Sequence, residues 1–535
     1  MTIVELTPES PRTMGEWIRE RARRYGDKHA LDVAGVRRTY SEVDDCSDRM
    51  AAGLASLELG VGSHVCTMMK NSVDSIDVWF ALCKIGAVEI PVNIANRGAS
   101  LHYLIDQSDA RAIVVDEEYL DRLAAVAGDL PHLRDVVVLR EGRDVDVEIP
   151  ARLTTHDLAS LYLGDDPPRP TIDRYDANVI MYTSGTTGPA KGVVLSHEAN
   201  LDLARHTVAL MGYTETDVLY TAFPLFHINA RYTSVVAALE CGGSLVMDQR
   251  FSVSRFWDIC REKGVTAFNF QGALLLMLAK QPPRPDDADN PVRVAFGAPV
   301  PPEIYEEFTQ RFGVRFAEVY GMTEVANTVE NRLDSFTVGP AGRESTRFEV
   351  RIVDSEDQFV PAGEAGEIVV RPKKPGIMIT EYYKMPEATV RAFRNLWFHT
   401  GDRGRFDENG YLYFLDRMKD AIRRRGENIS SWEVERTVSS FPSVLEAAAY
   451  GVPSDLSEEE VMIAVVPRPG HDVDITALLE HCVDNLAHFA VPRYVRFMRT
   501  LPKTPSQRVE KYRLRREGVT EDTWDREEHG FVVRR

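Results

Sequence analysis

Short apolar segments alternate with amphipathic segments over the first 300 residues, and this alternation restricts the possible folds more than any other feature of the sequence. The short segments are rich in β-branched residues, whereas the longer ones carry apolar residues at three- and four-residue intervals. Strands that alternate with helices form βαβ units, in which helices cover both faces of a parallel sheet. We therefore predict parallel α/β sheets with strands that include 63–69, 88–92 and 110–116.

The pattern changes after residue 348. Alternating strands bounded by turns at 348–354, 366–371 and 410–416 indicate a small β-rich unit, and a separate α+β pattern follows it. A chain of 535 residues is too long for one hydrophobic core. We predict a large N-terminal domain, residues 1–416, of stacked α/β subdomains plus the β-rich subdomain, and a small α+β domain, residues 417–535.

Charge and cysteine content restrict the partners and the compartment. Lys and Arg number 63 against 82 Asp and Glu, for a net charge of −19, and an acidic surface repels nucleic acids and anionic membranes. We predict neither partner. The six cysteines are scattered without a CxxC pair, and the N-terminal segment has no basic stretch followed by an apolar run. We expect a cytoplasmic monomer or homodimer without disulfides or a zinc site.

A segment rich in glycine and hydroxyl groups, TSGTTGPAKG at 183–192, lies between two predicted strands. Its glycines allow the backbone to approach a ligand closely, and its N–H groups, hydroxyls and lysine can donate to phosphate oxygens. It differs from a Walker loop because residue 190 is alanine and no clear helix follows. A solvated turn is the alternative interpretation. The candidate phosphate-binding residues are Thr183, Ser184, Gly185, Thr186, Thr187, Gly188 and Lys191.

Further motifs follow in order along the chain. They are GAP at 297–299, EVYGMTE at 318–324, WFHTGD at 397–402, DR at 416–417 and RRGENI at 424–429. Together with 183–192, they resemble the adenylate-forming superfamily of acyl-CoA synthetases, peptide-synthetase adenylation domains and luciferases. The resemblance extends from about residue 14 to about residue 516. It is closest to the carnitine/crotonobetaine-CoA-ligase-like branch.

The resemblance implies an ATP-dependent reaction in two steps. A carboxylic acid attacks the α-phosphate of ATP to give an acyl-adenylate and pyrophosphate, and the acyl group then passes to CoA. ATP, Mg²⁺ and CoA are the implied cofactors and co-substrate, and the C-terminal domain is implied to be a mobile lid that turns at Asp416/Arg417. Two alternatives stay open. One is an adenylating ligase that uses an amine, a carrier protein or oxygen as acceptor, or that activates an inorganic oxyanion such as nitrite; the other is an impaired nucleotide-binding homologue.

The resemblance also implies roles for individual residues. Thr183 and Glu324 are expected to hold Mg²⁺, Asp402 to bind the ribose hydroxyls, and Arg417 to reach the ribose or a phosphate. Lys191 is expected to act on the phosphates. The residues expected to face CoA are Arg425, Gly426 and Glu427. The remaining expected nucleotide-binding residues are Gly297, Ala298, Pro299, Glu318, Tyr320, Gly321, Met322 and Thr323.

The acid is expected near residues 226–231 and 269–273. His227 is either a gate between the ATP and acyl sites or a histidine satisfied in the core. A buried arginine beside hydrocarbon is costly unless it is paired, so Arg231 indicates a small or polar acid; a second anionic group on this acid is one candidate partner of the arginine. The alternative is that Arg231 points outward or pairs with a nearby Asp or Glu. Further substrate-binding candidates are Asn229, Asn269 and Gln271.

The segment PKTPSQRVEK at 502–511 departs from the superfamily pattern PKTxxGK. Gln507 stands in place of the glycine, and Arg508 in place of the lysine that bridges the substrate carboxylate and the α-phosphate. Arginine keeps the charge but has a larger fork. Three interpretations are open: Arg508 takes the role of the lysine, Lys511 takes it, or the first half-reaction is adapted to a different small oxyanion.

Overall fold

The computed structural model describes most of the chain. The described residues are 11–142, 147–164, 166–183, 190–417, 422–424, 427–429, 431–454, 459–486, 489–503 and 509–533. The chain divides into two compact units, the first comprising Met1–Val350 and Val370–Arg394 and the second Arg351–Val369 and Asn395–Arg535. The predicted mixed α/β class is confirmed.

Many helices begin at a polar side chain that caps free backbone N–H groups. In the first helix, for example, the Thr13 side chain accepts from the backbone of Glu16, and the Glu16 side chain accepts from the backbone of Thr13. The helices of the described residues are α1 Met14–Tyr25, α2 Tyr40–Ser56, α3 Val73–Ile85, α4 Gly98–Gln107, α5 Leu120–Ala127, α6 His197–Met211, α7 Val236–Glu240, α8 Phe256–Lys263, α9 Gly272–Ala279, α10 Pro302–Phe312, α11 Pro386–Ala392, α12 Ser431–Ser440, α13 Ile475–Asn485 and α14 Lys511–Glu517.

The strands of the first unit are mostly short and buried. They are β1 His29–Val33, β2 Val36–Thr39, β3 His64–Met68, β4 Val88–Pro91, β5 Ala112–Asp116, β6 Asp135–Leu139, β7 Thr154–Asp157, β8 Ala177–Thr183, β9 Lys191–Ser196, β10 Val218–Thr221, β11 Ser244–Met247, β12 Ala267–Gln271, β13 Val294–Ala298, β14 Arg315–Met322, β15 Ala326–Asn331 and β16 Gly342–Glu344. Strands were predicted at 63–69, 88–92 and 110–116, and β3, β4 and β5 confirm them.

These strands form two sheets with parallel centres and antiparallel edges. The first sheet has the order β7-β6-β5-β3-β4-β8-β9, and only β9 runs antiparallel to its neighbour. In the second sheet, β14-β13-β12-β10-β11-β1 are parallel, with β15 and β16 beyond one edge and β2 beyond the other. The parallel strand β5 is buried at all five positions, which explains its continuous apolar sequence.

Helix α3 is buried on nearly all sides, and it packs beside α1 and α2 in the first unit. Its single lysine, Lys84, is 1% exposed. The Lys84 ammonium lies 2.5 Å from a carboxylate oxygen of Asp44 and 2.6 Å from one of Asp48, both on α2. This pairing allows a charged lysine inside a helix that is buried on nearly all sides.

The second unit holds the remaining strands and a small α+β fold. Strands β17 and β18 each have residues in both units, and the full set is β17 Phe348–Val353, β18 Gly366–Pro372, β19 Phe398–Phe406, β20 Tyr411–Arg417, β21 Ile422–Arg424, β22 Glu427–Ile429, β23 Val444–Pro453, β24 Glu459–Pro467, β25 Tyr494–Phe497 and β26 Thr523–Asp525. The sheet β23-β24-β25-β26 packs one face on α12 and α13 and places Leu514 of α14 in the core on its other face. The predicted domain boundary falls at the end of β20, inside this unit, and stays a prediction.

None of the six cysteines forms a disulfide. Among the helices of the described ranges, none is long and apolar enough to cross a membrane.

Candidate active site

The predicted phosphate-binding segment connects β8 and β9 at the edge of the first sheet. In this antiparallel pair Thr183 lies opposite Lys191, and Tyr182 lies opposite Gly192. A strand follows the loop, which confirms that it is not a Walker loop. The connecting residues are outside the described part of the chain; they include the candidates Ser184, Gly185, Thr186, Thr187 and Gly188.

Helix α4 anchors the two ends of this loop. The Tyr103 hydroxyl donates to the backbone oxygen of Ala190 at 3.0 Å, directly before β9. On the other strand, the Tyr182 hydroxyl donates to the side-chain oxygen of Gln107. The Gln107 amide in turn donates to the backbone oxygen of Tyr383 at 2.7 Å. One helix therefore holds both ends of the loop in place.

Lys191 and Glu324, two of the predicted catalytic residues, contact the same tyrosine. The Lys191 ammonium lies 4.5 Å from the centroid of the Tyr382 ring, and the Tyr382 hydroxyl donates to Glu324 Oε1 at 2.9 Å. Glu324 is 4% exposed and lies in the turn between β14 and β15, where the N–H of Val325 donates to the carbonyl of Met322. Tyr382 was not among the predicted residues, because no pattern in the sequence relates position 382 to 191 or 324.

Backbone pairing places Tyr382 at this point. The segment 379–383 lies along β9, with hydrogen bonds from Thr380 N to Val194 O at 3.0 Å and from Tyr383 N to Gly192 O at 2.8 Å. Its first residue, Ile379, donates to the carbonyl of Glu324 at 2.7 Å. The segment thus joins the end of the phosphate hairpin to the turn that carries Glu324.

Most of the other predicted nucleotide-binding and acid-binding residues of the first unit gather at the carboxyl ends of parallel strands. Gln271 of β12 lies opposite Ala298 of β13, and Gly297 lies opposite Glu318 of β14. Ligands of open α/β sheets bind at this edge. The expected residues that lie here or in the turns directly after these strands are Gly297, Ala298, Pro299, Glu318, Tyr320, Gly321, Met322, Thr323, Asn269 and Gln271.

Two glycines of these motifs are required by close packing. A Cβ atom on Gly297 would lie 2.0 Å from the carbonyl oxygen of Phe270, and one on Gly321 would lie 1.6 Å from that of Ala326. Both contacts are with backbone, which cannot move aside as a side chain can. Glycine therefore lets the strand ends lie close together at the site.

Glu318 is an ionisable group buried at this edge. The backbone N–H of Val300 donates to its carboxyl group, yet burial raises the pKa of Glu318 to about 8. At neutral pH the group therefore carries a proton in most molecules and can donate a hydrogen bond.

The contacts of Arg231 correct the expectation that this residue pairs with a second anionic group of the acid. It lies in a π-helix, Asn229–Val235, and its two terminal nitrogens donate to the Glu89 carboxylate of β4 at 2.6 and 2.5 Å. Both side chains are 2% exposed, and the guanidinium lies 4.3 Å from the centroid of a Trp79 ring. Of the two interpretations left open, pairing with a nearby acid is right. Glu89 occupies the fork expected to bind a second anionic group of the acid, because a buried arginine needs a partner within the protein.

Asn269 has a similar internal role. Its amide nitrogen lies 3.0 Å from Asn229 Oδ1, 2.9 Å from Thr233 Oγ1 and 2.9 Å from Ser234 Oγ. All three partners belong to the π-helix, a form often found at functional sites. Asn269 and Asn229 therefore contact each other and hold the π-helix against β12. Gln271, at the end of the same strand, is exposed.

His227 lies just before the π-helix, with its ring 4.7 Å from that of Phe226. Burial lowers its pKa to about 4, so the imidazole is neutral at physiological pH. Within the described residues, its Nε2 atom has no hydrogen-bond partner. Both interpretations of His227, the gate and the core histidine, stay predictions.

Asp402 is a buried residue of β19 in the second unit. It is 3% exposed and follows Gly401, whose positive φ of 70° favours glycine. The Gly401 N–H donates to Glu367 Oε1 at 3.0 Å. Asp402 lies opposite Arg417 in the register of β19 and β20, so the two residues predicted to reach the ribose are neighbours.

Several predicted residues cannot be placed. The side chains of Arg417 and Glu427 and all of Arg425, Gly426 and Arg508 are outside the described part of the chain. Their predicted roles stay predictions.

Lys511 has partners inside the second unit. Its ammonium lies 2.5 Å from Ser431 Oγ and 2.9 Å from Glu435 Oε1, both at the start of α12. The same Glu435 oxygen also accepts from the N–H of Ala449 at 2.8 Å. An ammonium held in this way is less suited to reach a substrate, and the three interpretations of the 502–511 segment stay predictions.

The donor set fits Mg²⁺ bound together with a nucleotide. Among the described residues, no group of three or more His, Cys, Asp or Glu could hold a metal ion. Mg²⁺ at nucleotide sites uses one or two carboxylates, phosphate oxygens and water instead of a complete protein cage. The buried carboxylate of Glu324 and the hydroxyl of Thr183 are compatible with that arrangement.

Comparisons with known proteins agree with this geometry. Residues 18–383 match the AMP-binding enzyme family, and residues 433–508 match its C-terminal domain. The chain is 30% identical to the crotonobetaine/carnitine–CoA ligase of Salmonella paratyphi A, over 92% of this chain and 96% of the relative.

Solved structures show the same fold. ATP-bound MatB from Rhodopseudomonas palustris has a TM-score of 0.83 at 26% identity, over 95% of this chain and 98% of that chain. The anthranilate CoA ligase AuaEII in complex with anthranoyl-AMP has a TM-score of 0.86 at 22% identity, over 97% and 99%, which supports the fold alone.

The match to both domains of this family and the 30% identity to a CoA ligase over 92% of this chain define an enzyme that activates acids with ATP. The chain belongs to the AMP-binding enzyme family. The prediction of an AMP-forming acid–CoA ligase, with ATP, Mg²⁺ and CoA, is confirmed at the level of this family, as is the large N-terminal domain with a smaller C-terminal one.

The raised pKa of Glu318 predicts a pH-dependent stability. Between its ordinary pKa of 4.5 and about 8, the folded protein holds a proton that the unfolded chain releases, so the free energy of unfolding falls as pH rises through this window. Glu318→Gln stays neutral and should remove this component. Differential scanning fluorimetry should show the Tm of the variant relative to wild type rising by roughly 2 °C or more from pH 5 to pH 8.5. An unchanged difference would contradict the raised pKa.

The Arg231–Glu89 pair predicts strongly non-additive mutations. Arg231→Met or Glu89→Gln alone leaves a buried group without its partner and should cost about 3–5 kcal/mol of unfolding free energy, whereas the double variant should cost less than the two together. Urea denaturation measures all three. The exposed pair Arg255–Glu262, at 3.5 Å, is the control, and Arg255→Met should cost about 1 kcal/mol or less. Additive costs at Arg231 and Glu89 would contradict the pairing.

Proposed function

We propose that this enzyme adenylates a carboxylic acid whose tail carries no second anionic group and transfers the acyl group to CoA. The observation that carries the proposal is the engagement of Arg231 by Glu89, which leaves this buried guanidinium neutralised within the protein. A second carboxylate in the acid would then be desolvated beside an ion pair that is already complete, which is unfavourable. The likeness to a relative named for crotonobetaine and carnitine supports this choice, since a betaine carries one carboxylate and a cationic group.

In the first half-reaction, the acid carboxylate attacks the α-phosphate and pyrophosphate leaves. Lys191 and the backbone of the β8–β9 loop bind the phosphate oxygens, and Glu318 at the strand edge holds its proton while Asp402 accepts from the ribose hydroxyls. Thr183 and Glu324 would hold Mg²⁺, which supplies positive charge against the phosphates. The neutral His227 contacts the acid without adding charge beside its carboxylate.

We propose that residues 417–535 act as a lid that turns at Asp416/Arg417 between the half-reactions. The lid would present Arg508 for adenylation and then Arg425, Gly426 and Glu427 for CoA, so that one site excludes water from a labile mixed anhydride in both steps. The enzyme is further proposed to act in the cytoplasm as a monomer or homodimer without nucleic-acid or membrane partners. The net charge of −19 supports the proposal that nucleic acids and membranes are not partners.

The substrate proposal is tested by mass spectrometry of reactions with ATP, Mg²⁺ and CoA. The acids are crotonobetaine, carnitine, anthranilate and straight-chain monocarboxylates, with succinate and glutarate as dianionic controls of similar size. AMP and a CoA thioester should form with at least one acid of the first group and with neither control. Thioester from a dianion would contradict the acid class. AMP without thioester would redirect the second step to an amine, a carrier protein or an inorganic oxyanion.

The role of Arg508 is tested by ATP–pyrophosphate exchange with the acid so identified. Arg508→Ala should lower the exchange rate by roughly 100-fold, because it removes the cation expected between carboxylate and α-phosphate. Lys511→Ala should keep most of the exchange once folding is verified by circular dichroism, because its ammonium is bound by Glu435. Loss of exchange in folded Lys511→Ala, with retention in Arg508→Ala, would reverse the assignment.

A further inference from the structure

Tyr382 uses both of its chemical functions on residues assigned to ATP and Mg²⁺. Its ring face lies 4.5 Å from the Lys191 ammonium, and its hydroxyl donates to Glu324 Oε1 at 2.9 Å. Tyr382 is 4% exposed, so its ring and hydroxyl are shielded from water. Cation–π contacts and hydrogen bonds to a carboxylate are stronger where water is excluded.

The backbone around Tyr382 is fixed by hydrogen bonds on both sides. Tyr382 pairs with Val193 of β9 as an antiparallel bridge, and its N–H donates to Thr389 Oγ1 at 3.0 Å. Its carbonyl accepts from the N–H of Met385 at 2.9 Å. The ring is therefore held in place by main-chain contacts that do not depend on a bound nucleotide.

We propose that Tyr382 is a positioning residue that sets Lys191 and Glu324 for the magnesium–ATP complex, an inference that rests on the function proposed above. The hydroxyl fixes the orientation of the Glu324 carboxylate, as outer hydrogen-bond partners of metal ligands do. The ring restricts the positions of the Lys191 ammonium through the cation–π contact. Binding phosphate then costs this lysine less conformational entropy than it would cost a freely rotating one.

The two contacts can be separated by substitution. Tyr382→Phe removes the hydrogen bond to Glu324 and keeps the ring under Lys191, whereas Tyr382→Leu removes both. The neighbouring residue gives a matched control. The Tyr383 hydroxyl donates to Asp109 Oδ2 at 2.9 Å, just after α4, and not to Glu324. Tyr383→Phe therefore deletes the same atom from the same backbone segment.

The experiment is isothermal titration calorimetry of ATP into the full-length enzyme, without acid or CoA, over a series of Mg²⁺ concentrations. Tyr382→Phe should raise the Mg²⁺ concentration that half-saturates the effect on ATP affinity by roughly tenfold, the loss typical of an outer partner of a metal ligand. Its ATP affinity without Mg²⁺ should match wild type. Tyr382→Leu should also weaken ATP binding without Mg²⁺, and Tyr383→Phe should match wild type throughout.

The outcomes separate this inference from the proposed function. Wild-type binding with a Mg²⁺ dependence that is equal in Tyr382→Phe and Tyr383→Phe would overturn the role of Tyr382 and leave the ligase proposal intact. Absence of magnesium–ATP binding by folded wild-type enzyme would overturn both. A thermal melt of each variant verifies folding, and a destabilised Tyr382→Leu leaves the decision to the near-isosteric Tyr382→Phe.

Discussion

The parallel pairing of strands in the first unit is the constraint on which the site depends. A parallel strand can be reached only by a crossover connection, so helices cover the sheet and the carboxyl ends of neighbouring strands come to the same edge. In this chain that edge receives the ends of β12, β13 and β14. Motifs separated by dozens of residues meet there because each follows a strand whose carboxyl end lies at this edge.

A second constraint is the neutralisation of charges that the fold encloses. Glu89 of β4 and Arg231 of the π-helix belong to distant parts of the sequence, yet each is buried and each satisfies the other. The buried ammonium of Lys84 is likewise neutralised by ion pairs with Asp44 and Asp48. The buried carboxyl group of Glu318 accepts a hydrogen bond from the backbone N–H of Val300, and burial raises its pKa. Burial thus leads in one case to an internal ion pair and in the other to a shifted pKa.

The contacts around Tyr382 show how a site is supported by residues that carry out no step. The segment 379–383 reaches β9 and the Glu324 turn through main-chain hydrogen bonds, which any residue type except proline could make. Only a tyrosine offers both a ring face for Lys191 and a hydroxyl for Glu324. Backbone pairing and side-chain chemistry therefore have separate parts in the same segment.

The sequence by itself determined the α/β class, the strands β3, β4 and β5, the strands on both sides of the glycine-rich segment and the membership of an adenylating family, because periodicity and motifs are local properties. It also made Glu324 and Asp402 candidates through their neighbours in the chain, and the structure shows that both are buried. Only the tertiary structure decided the partners of Arg231, Lys511 and Asn269, and only it revealed Tyr382. A charged or amide side chain looks the same in the sequence whether it faces a ligand or another residue, and that choice depends on which distant element the fold packs against it.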